Sequence, residues 1–205
     1  MPPFPRERLE ADPVTVARDL LGAVLSRRFE DGTRLRGRIV ETEAYWGPQD
    51  QASHAKNGRR TPRIESMFAE PGTAYVYVSH GIHHCMNVSV TAAGTPEAVL
   101  IRALEPMEGL ERMTALRAAS RRPTSRALRV RDLCSGPGKL CRAMGIDLDG
   151  DGCNLLKTNA LRLGSGGLRA GELVDAGPRI GLGSVGSWSE KPWRFFVRDS
   201  EHVSR

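Results

Sequence analysis

The sequence predicts a single α+β domain, and three observations predict it. At 205 residues the chain can bury one sizeable core, and no repeat, linker or shift in composition divides it. Its 22 glycines and 13 prolines imply many turns and few long helices. The apolar residues fall mostly into short strand-like runs, with helical spacing confined to two segments.

Taken in order, residues 1–11 read as a loose lead-in. Asp12 followed by Pro13 is a helix-start signal, and Val14, Ala17, Leu20, Leu21 and Val24 keep helical spacing to about Leu25. Asp31-Gly32, inside the turn Glu30 to Thr33, predicts a hairpin between two strand-like runs. The second run, Leu35 to Tyr45, would as a regular strand put Ile39, Glu41, Glu43 and Tyr45 on one face. Trp46 to Pro71 is polar and irregular. Thr73 to Ser79 is strand-like, His80-Gly81 is a bend, and Cys85 to Val90 is the returning partner. After a loop comes an apolar strand, Ala98 to Leu104, with Arg102 inside it. Glu105 to about Ala119 reads as a helix from the stripe Met107, Leu110, Met113 and Leu116. A flexible loop, Gly164 to Gly171, precedes two closing strands, Arg179 to Gly186 and Arg194 to Val197.

The formal net charge is +6, dominated by arginine. That points to a polyanion, for which arginine supplies phosphate forks, although an acidic membrane surface would suit the charge equally. From His54 through Ile64 there are four cations and no acid. From Arg117 through Arg142 there are eight against one, Asp132. Ser135-Gly136-Pro137-Gly138-Lys139 lacks the spacing of a nucleotide P-loop, but a helix starting there could offer N–H groups to a DNA phosphate. Cys85, Cys134, Cys141 and Cys153 have no zinc-finger spacing and read as reduced thiols. No apolar stretch approaches the roughly 18 residues of a membrane helix, and the N-terminus has no apolar core of a signal peptide. A soluble intracellular protein with no membrane contact is expected.

Two stretches carry chemistry. Ile39 to Tyr45 holds two carboxylates and an aromatic; Tyr75 to Val90 holds Tyr75, Tyr77, His80, His83, His84 and Asn87. A carboxylate beside aromatic faces suits chemistry on a planar ring. Together with the arginines, it suggests an enzyme acting on a nucleobase in DNA.

Several ordered motifs extend this. Gly37-Arg-Ile-Val-Glu-Thr-Glu-Ala-Tyr45, Gly72-Thr-Ala-Tyr-Val-Tyr77, His84-Cys-Met-Asn87 and Leu100-Ile-Arg-Ala-Leu-Glu-Pro106 come first. Leu133-Cys-Ser-Gly-Pro-Gly-Lys-Leu-Cys141, Arg179-Ile-Gly-Leu-Gly183 and Lys191-Pro-Trp-Arg-Phe-Phe-Val-Arg198 follow. Over most of the chain, from about residue 15 onward, the sequence resembles the alkyladenine (3-methyladenine) DNA glycosylase family. The resemblance implies a curved antiparallel sheet with flanking helices and a protruding β-hairpin that enters the minor groove of double-stranded DNA. It implies a monofunctional enzyme of base excision repair that flips out 3-methyladenine, 7-methylguanine, hypoxanthine or ethenoadenine and leaves an abasic site. It implies no cofactor and no metal, a monomer by default, and a bacterial nucleoid or a eukaryotic nucleus as its setting.

Residue by residue, the resemblance gives Glu43 the role of activating water, with Arg102 and a main-chain carbonyl near Ile180 holding that water. Glu41 is expected to be a structural neighbour. Tyr45, His54 and Tyr77 match positions that sandwich and touch the flipped base, and Asn87 matches the one that disfavours guanine. His80, Ile82 and His83 occupy the intercalating tip. The sequence departs from the family pattern there: His80 replaces a common tyrosine, and His83 a frequent aromatic. Two rivals remain: a metal-dependent hydrolase using His80, His83 and His84 with Glu43, and a DNA-binding protein without chemistry.

Overall fold

Asp12 starts a helix as its residue type dictates. Its carboxylate accepts from the N–H groups of Val14 and Thr15, both at 3.0 Å, and Pro13 occupies the first helical position. This helix, α2 (Pro13–Asp19), buries Val16 and Ala17, and a short α1 (Arg6–Leu9) precedes it. The computed structural model describes residues 1–119 and 127–204. Its strands are β1 (Val24–Arg28), β2 (Arg34–Tyr45), β3 (Ala74–Ser79), β4 (His83–Ser89), β5 (Ala98–Glu108), β6 (Leu161–Gly164), β7 (Val174–Gly177) and β8 (Arg194–Val197). They form a single curved antiparallel sheet in the order β3-β4-β5-β2-β1-β6, with β8 joining the inner end of β2 and β7 joining β8. The remaining helices are α3 (Leu110–Ala118), α4 (Val130–Leu133) and α5 (Pro137–Met144). The main core lies between this sheet and α2, α4 and α5. Among the described residues no helix is long and apolar enough to cross a membrane.

Five expectations need correction. The lead-in is not loose: Phe4 and Leu9 are buried in the core, and Pro3 bridges to Gly164. The second helix stops at Asp19, because Val24 and Leu25 pair with Arg38 and Gly37 as strand. The residues Glu105 to Glu108 continue β5 instead of opening a helix; they pair with β2, and Gly109, at φ 81°, then makes the turn into α3. Residues 179–186 form no strand, and the closing ladder is Val174–Gly177 on β8. Finally, Ile39 does not share a face with Glu41, Glu43 and Tyr45. The β2–β5 register skips Val40 on one strand and Arg102 on the other. These bulges rotate the strand, so that Ile39 and Ala44 join the main core and the Thr42 hydroxyl donates to the Ala17 carbonyl at 2.7 Å. Glu41, Glu43 and Tyr45 are left together on the other face, opposite Arg102.

The β3–β4 hairpin ends in an exposed tip, residues 80–83, with His80 at φ 49° and Gly81 at φ 70°. Its base is fixed against α5. A Cβ on Gly138 would come within 2.9 Å of the His83 side chain, so only glycine permits this approach. Of the basic stretch after α3, Arg121, Arg122 and Arg126 lie outside the described residues.

Candidate active site

The chain has three tyrosines, and all three line one cleft of about 620 Å³. That size suits a small aromatic ligand. Alternation along β3 puts Tyr75 and Tyr77 on the same side, stacked with centroids 5.5 Å apart. His54 stands edge-on to Tyr77 at 4.5 Å, and its Nδ1 is hydrogen-bonded to the Tyr75 hydroxyl at 2.7 Å. Burial, with Arg63 and Arg59 nearby, holds the His54 imidazole below its usual range, so the ring is neutral at neutral pH. Asn87 lines the cleft and donates from Nδ2 to the Tyr75 carbonyl at 3.0 Å, which sets the orientation of its amide. Lys56, Arg59, Arg63 and Arg102 also line the cleft, and no Asp or Glu does among the described residues.

Beneath that lining lies a buried cluster of charge. Glu43 has no exposed surface and does not itself face the cleft. It is held by three groups that do. Arg102 Nη1 approaches Oε1 at 3.1 Å, the Ile180 N–H donates to Oε1 at 2.6 Å, and the Tyr45 hydroxyl donates to Oε2 at 2.9 Å. Burial raises the Glu43 pKa above the usual glutamate value; the charge on Arg102 and the two hydrogen bonds pull against that rise. The group Ile180 presents to Glu43 is its N–H, the donor that a carboxylate accepts from. Oε2 accepts from Tyr45 alone among the described hydrogen bonds.

Glu41 is the structural neighbour expected of it. It accepts from Arg102 Nε at 3.1 Å, Arg194 Nη1 at 3.0 Å, the Ser204 N–H at 2.7 Å and the Ser204 hydroxyl at 2.8 Å. Arg102 therefore bridges the two carboxylates, and the bulge at Arg102 is what aims it there.

Sequence reasoning missed a second buried pair. Arg179 and Asp50 have no side-chain exposure and form a two-pronged ion pair, with Nη2–Oδ1 at 2.9 Å. Arg179 Nη1 also donates to the Ala44 carbonyl at 2.9 Å, and the guanidinium lies over the Tyr45 ring at 4.8 Å. It thereby pins the segment carrying Ile180 against Glu43 and Tyr45. The signal available was an arginine next to a glycine-rich run, Arg179-Ile-Gly-Leu-Gly183; its partner, 129 residues away, carried none. Tyr75, which had no assigned role, positions His54.

At the hairpin tip, His80 and Ile82 are exposed, Ile82 by 67%, and His80 also lines the cleft. The His83 side chain, exposed like the rest of the tip, lies close to Gly138 of α5. Among the described residues no three His, Cys, Asp or Glu side chains converge as metal ligands, so His80, His83, His84 and Glu43 form no such group.

A carboxylate behind a wall of tyrosines, on a curved sheet with a projecting hairpin, places the chain in a family. Residues 7–201 match the model of methylpurine-DNA glycosylases, and the chain belongs to that family. Among curated proteins it is 52% identical to the mouse DNA-3-methyladenine glycosylase over 194 residues, covering 93% of this chain and 58% of that protein. The human protein of the same name is 51% identical over 193 residues, 93% of this chain and 64% of its own length. The chain thus spans about three fifths of these mammalian relatives. A putative 3-methyladenine DNA glycosylase of Desulfitobacterium hafniense is 41% identical over 199 residues, 97% of each chain.

Proposed function

We propose that this chain is a monofunctional DNA glycosylase, which removes alkylated or deaminated purines from duplex DNA by hydrolysis and leaves an abasic site. The observation that carries this is the Glu43 carboxylate, held by Arg102, Ile180 and Tyr45 directly behind an aromatic cleft of about 620 Å³.

The target base lies out of reach inside a stacked duplex, so it must swing out into the cleft; damaged, poorly paired bases cost least to extrude. His80 and Ile82, on the exposed tip, enter the minor groove and fill the vacated space, with His83 bracing the hairpin on α5. Tyr45, Tyr77 and His54 hold the base by its faces and edge, and a cationic alkylated purine gains cation–π attraction. Asn87 disfavours guanine through its fixed amide. As the glycosidic bond breaks, its electron pair leaves with the base and positive charge develops on the sugar. Water, admitted where the Tyr45 hydroxyl now sits, adds its oxygen to that carbon and gives its proton to Glu43. General-base help of this kind typically contributes about 10²–10⁴ in rate. Lys56, Arg59 and Arg63 hold phosphates at the mouth.

The test is base release from duplexes carrying hypoxanthine, ethenoadenine or 3-methyladenine. Glu43→Gln should lower release by at least about a hundredfold and leave DNA binding intact. Equal release by the two proteins would refute the role of Glu43. A protein that binds but never releases a base would support the reading of a DNA-binding module without chemistry.

A further inference from the structure

The outer half of β2 forms a second cleft, of about 260 Å³, walled by β1, β2 and β6. These strands lie at the opposite end of the sheet order from the β3–β4 hairpin. Arg28 stands directly across the ladder from Arg34, and Ser26 stands between Arg36 on one side and Arg162 on the other. Arg27 also lines the cleft. Arg28, Arg34, Arg36 and Arg162 share this face of the sheet, whereas Arg27, opposite Leu35 and Leu161, turns its guanidinium over the Phe29 ring. Among the described residues the acid paired with them is Glu108, 3.7 Å from Arg34 and 3.6 Å from Arg36.

Like charges directly opposite one another on neighbouring strands repel and weaken a sheet. Base excision in the aromatic cleft requires no such arrangement. The Nε of Arg162 is moreover buried without a hydrogen-bond partner in the protein, a cost that an incoming acceptor removes. We propose that this cleft binds a phosphate group, with the guanidinium groups of Arg28, Arg36 and Arg162 as its principal ligands. Phosphate offers the charge and the paired oxygens that such forks match. The group belongs either to the backbone of a nucleic acid or to a small phosphorylated molecule; the chemistry of the site is the same.

Inorganic pyrophosphate, titrated into the full chain by calorimetry at low salt, tests this. Three proteins are compared: the unaltered chain, Arg28→Glu/Arg162→Ser, and Lys56→Gln/Arg59→Gln, which removes two cations from the aromatic cleft. The first and third should bind, and the second should bind at least about tenfold more weakly. Equal binding by all three, or loss in the third alone, overturns the proposal. With repulsion relieved, Arg28→Glu/Arg162→Ser should melt no lower than the unaltered chain; if it melts far lower, Arg36→Gln takes its place in the same titration. Undamaged duplexes identify the source. Weaker binding of a long duplex by the variant assigns the phosphate to nucleic acid, and unchanged duplex affinity beside lost pyrophosphate binding assigns it to a small ligand. Base release from a short duplex stays at the unaltered rate in this variant, so failure of this proposal leaves the glycosylase reading standing.

Discussion

The two ends of β2 carry charge in opposite ways. At the inner end, Glu41 and Glu43 are fully buried, and between them Arg102, Arg194, Ser204, Tyr45 and Ile180 occupy their oxygens. At the outer end, Arg34 and Arg36 keep 61% and 30% of their side chains exposed and share one carboxylate. Buried charge must be paired at short range, so it fixes geometry to within a hydrogen bond. Exposed charge acts at longer range, screened by salt, and fixes little. One strand thus carries both a fully paired buried cluster and a loosely paired exposed one.

The contrast is broken most sharply by removing one member of a buried pair. Asp50→Ala strands the Arg179 guanidinium and should cost about 3–5 kcal/mol of stability, read by denaturant unfolding. Arg34→Gln at the exposed end should stay within about 0.5 kcal/mol. Similar costs for both would show that the inner cluster is not tightly coupled. Next in size, Tyr77→Ala should weaken binding of a lesion-containing duplex by about 1–3 kcal/mol while barely changing affinity for undamaged DNA. An equal loss on both DNAs would move Tyr77 from base stacking to general support. Smallest, Lys56→Gln and Arg59→Gln should each flatten the salt dependence of duplex binding by about 0.9 in log–log slope. An unchanged slope would take these cations away from the phosphates.

What was legible in the sequence was local. Asp12-Pro13 and Asp31-Gly32 announced a helix start and a hairpin because capping and turn chemistry need only neighbouring residues; Asp31 indeed accepts from the Thr33 N–H at 2.8 Å. The helical spacing of Met107, Leu110, Met113 and Leu116 was half right, since pairing with β2 overrides local preference as far as Glu108. The paired bulges at Val40 and Arg102 had no local signature, yet they decide which residues share a face with Glu43. Arg179 with Asp50, and Ser204 with Glu41, join residues more than a hundred positions apart, and one sequence does not display such pairs. Glu43, Arg102, Tyr45 and Tyr77 were singled out in the sequence, and the fold brings them together around one cleft. The burial of Glu43 behind Tyr45 and Ile180 was not singled out.

That burial leads to the most direct test of the account. Release of 7-methylguanine is the reaction to follow, because a purine already carrying positive charge leaves without needing a proton. In the proposed mechanism Glu43 works as the carboxylate, and its pKa is raised by burial; protonation therefore begins at a higher pH than for an ordinary glutamate and removes the proposed base as pH falls. Single-turnover release by the unaltered chain should follow one acid limb, full above that raised pKa and lost below it, while Glu43→Gln shows only a low, flat rate. A rate that holds steady down through the ordinary glutamate range would contradict a catalytic role for the Glu43 carboxylate.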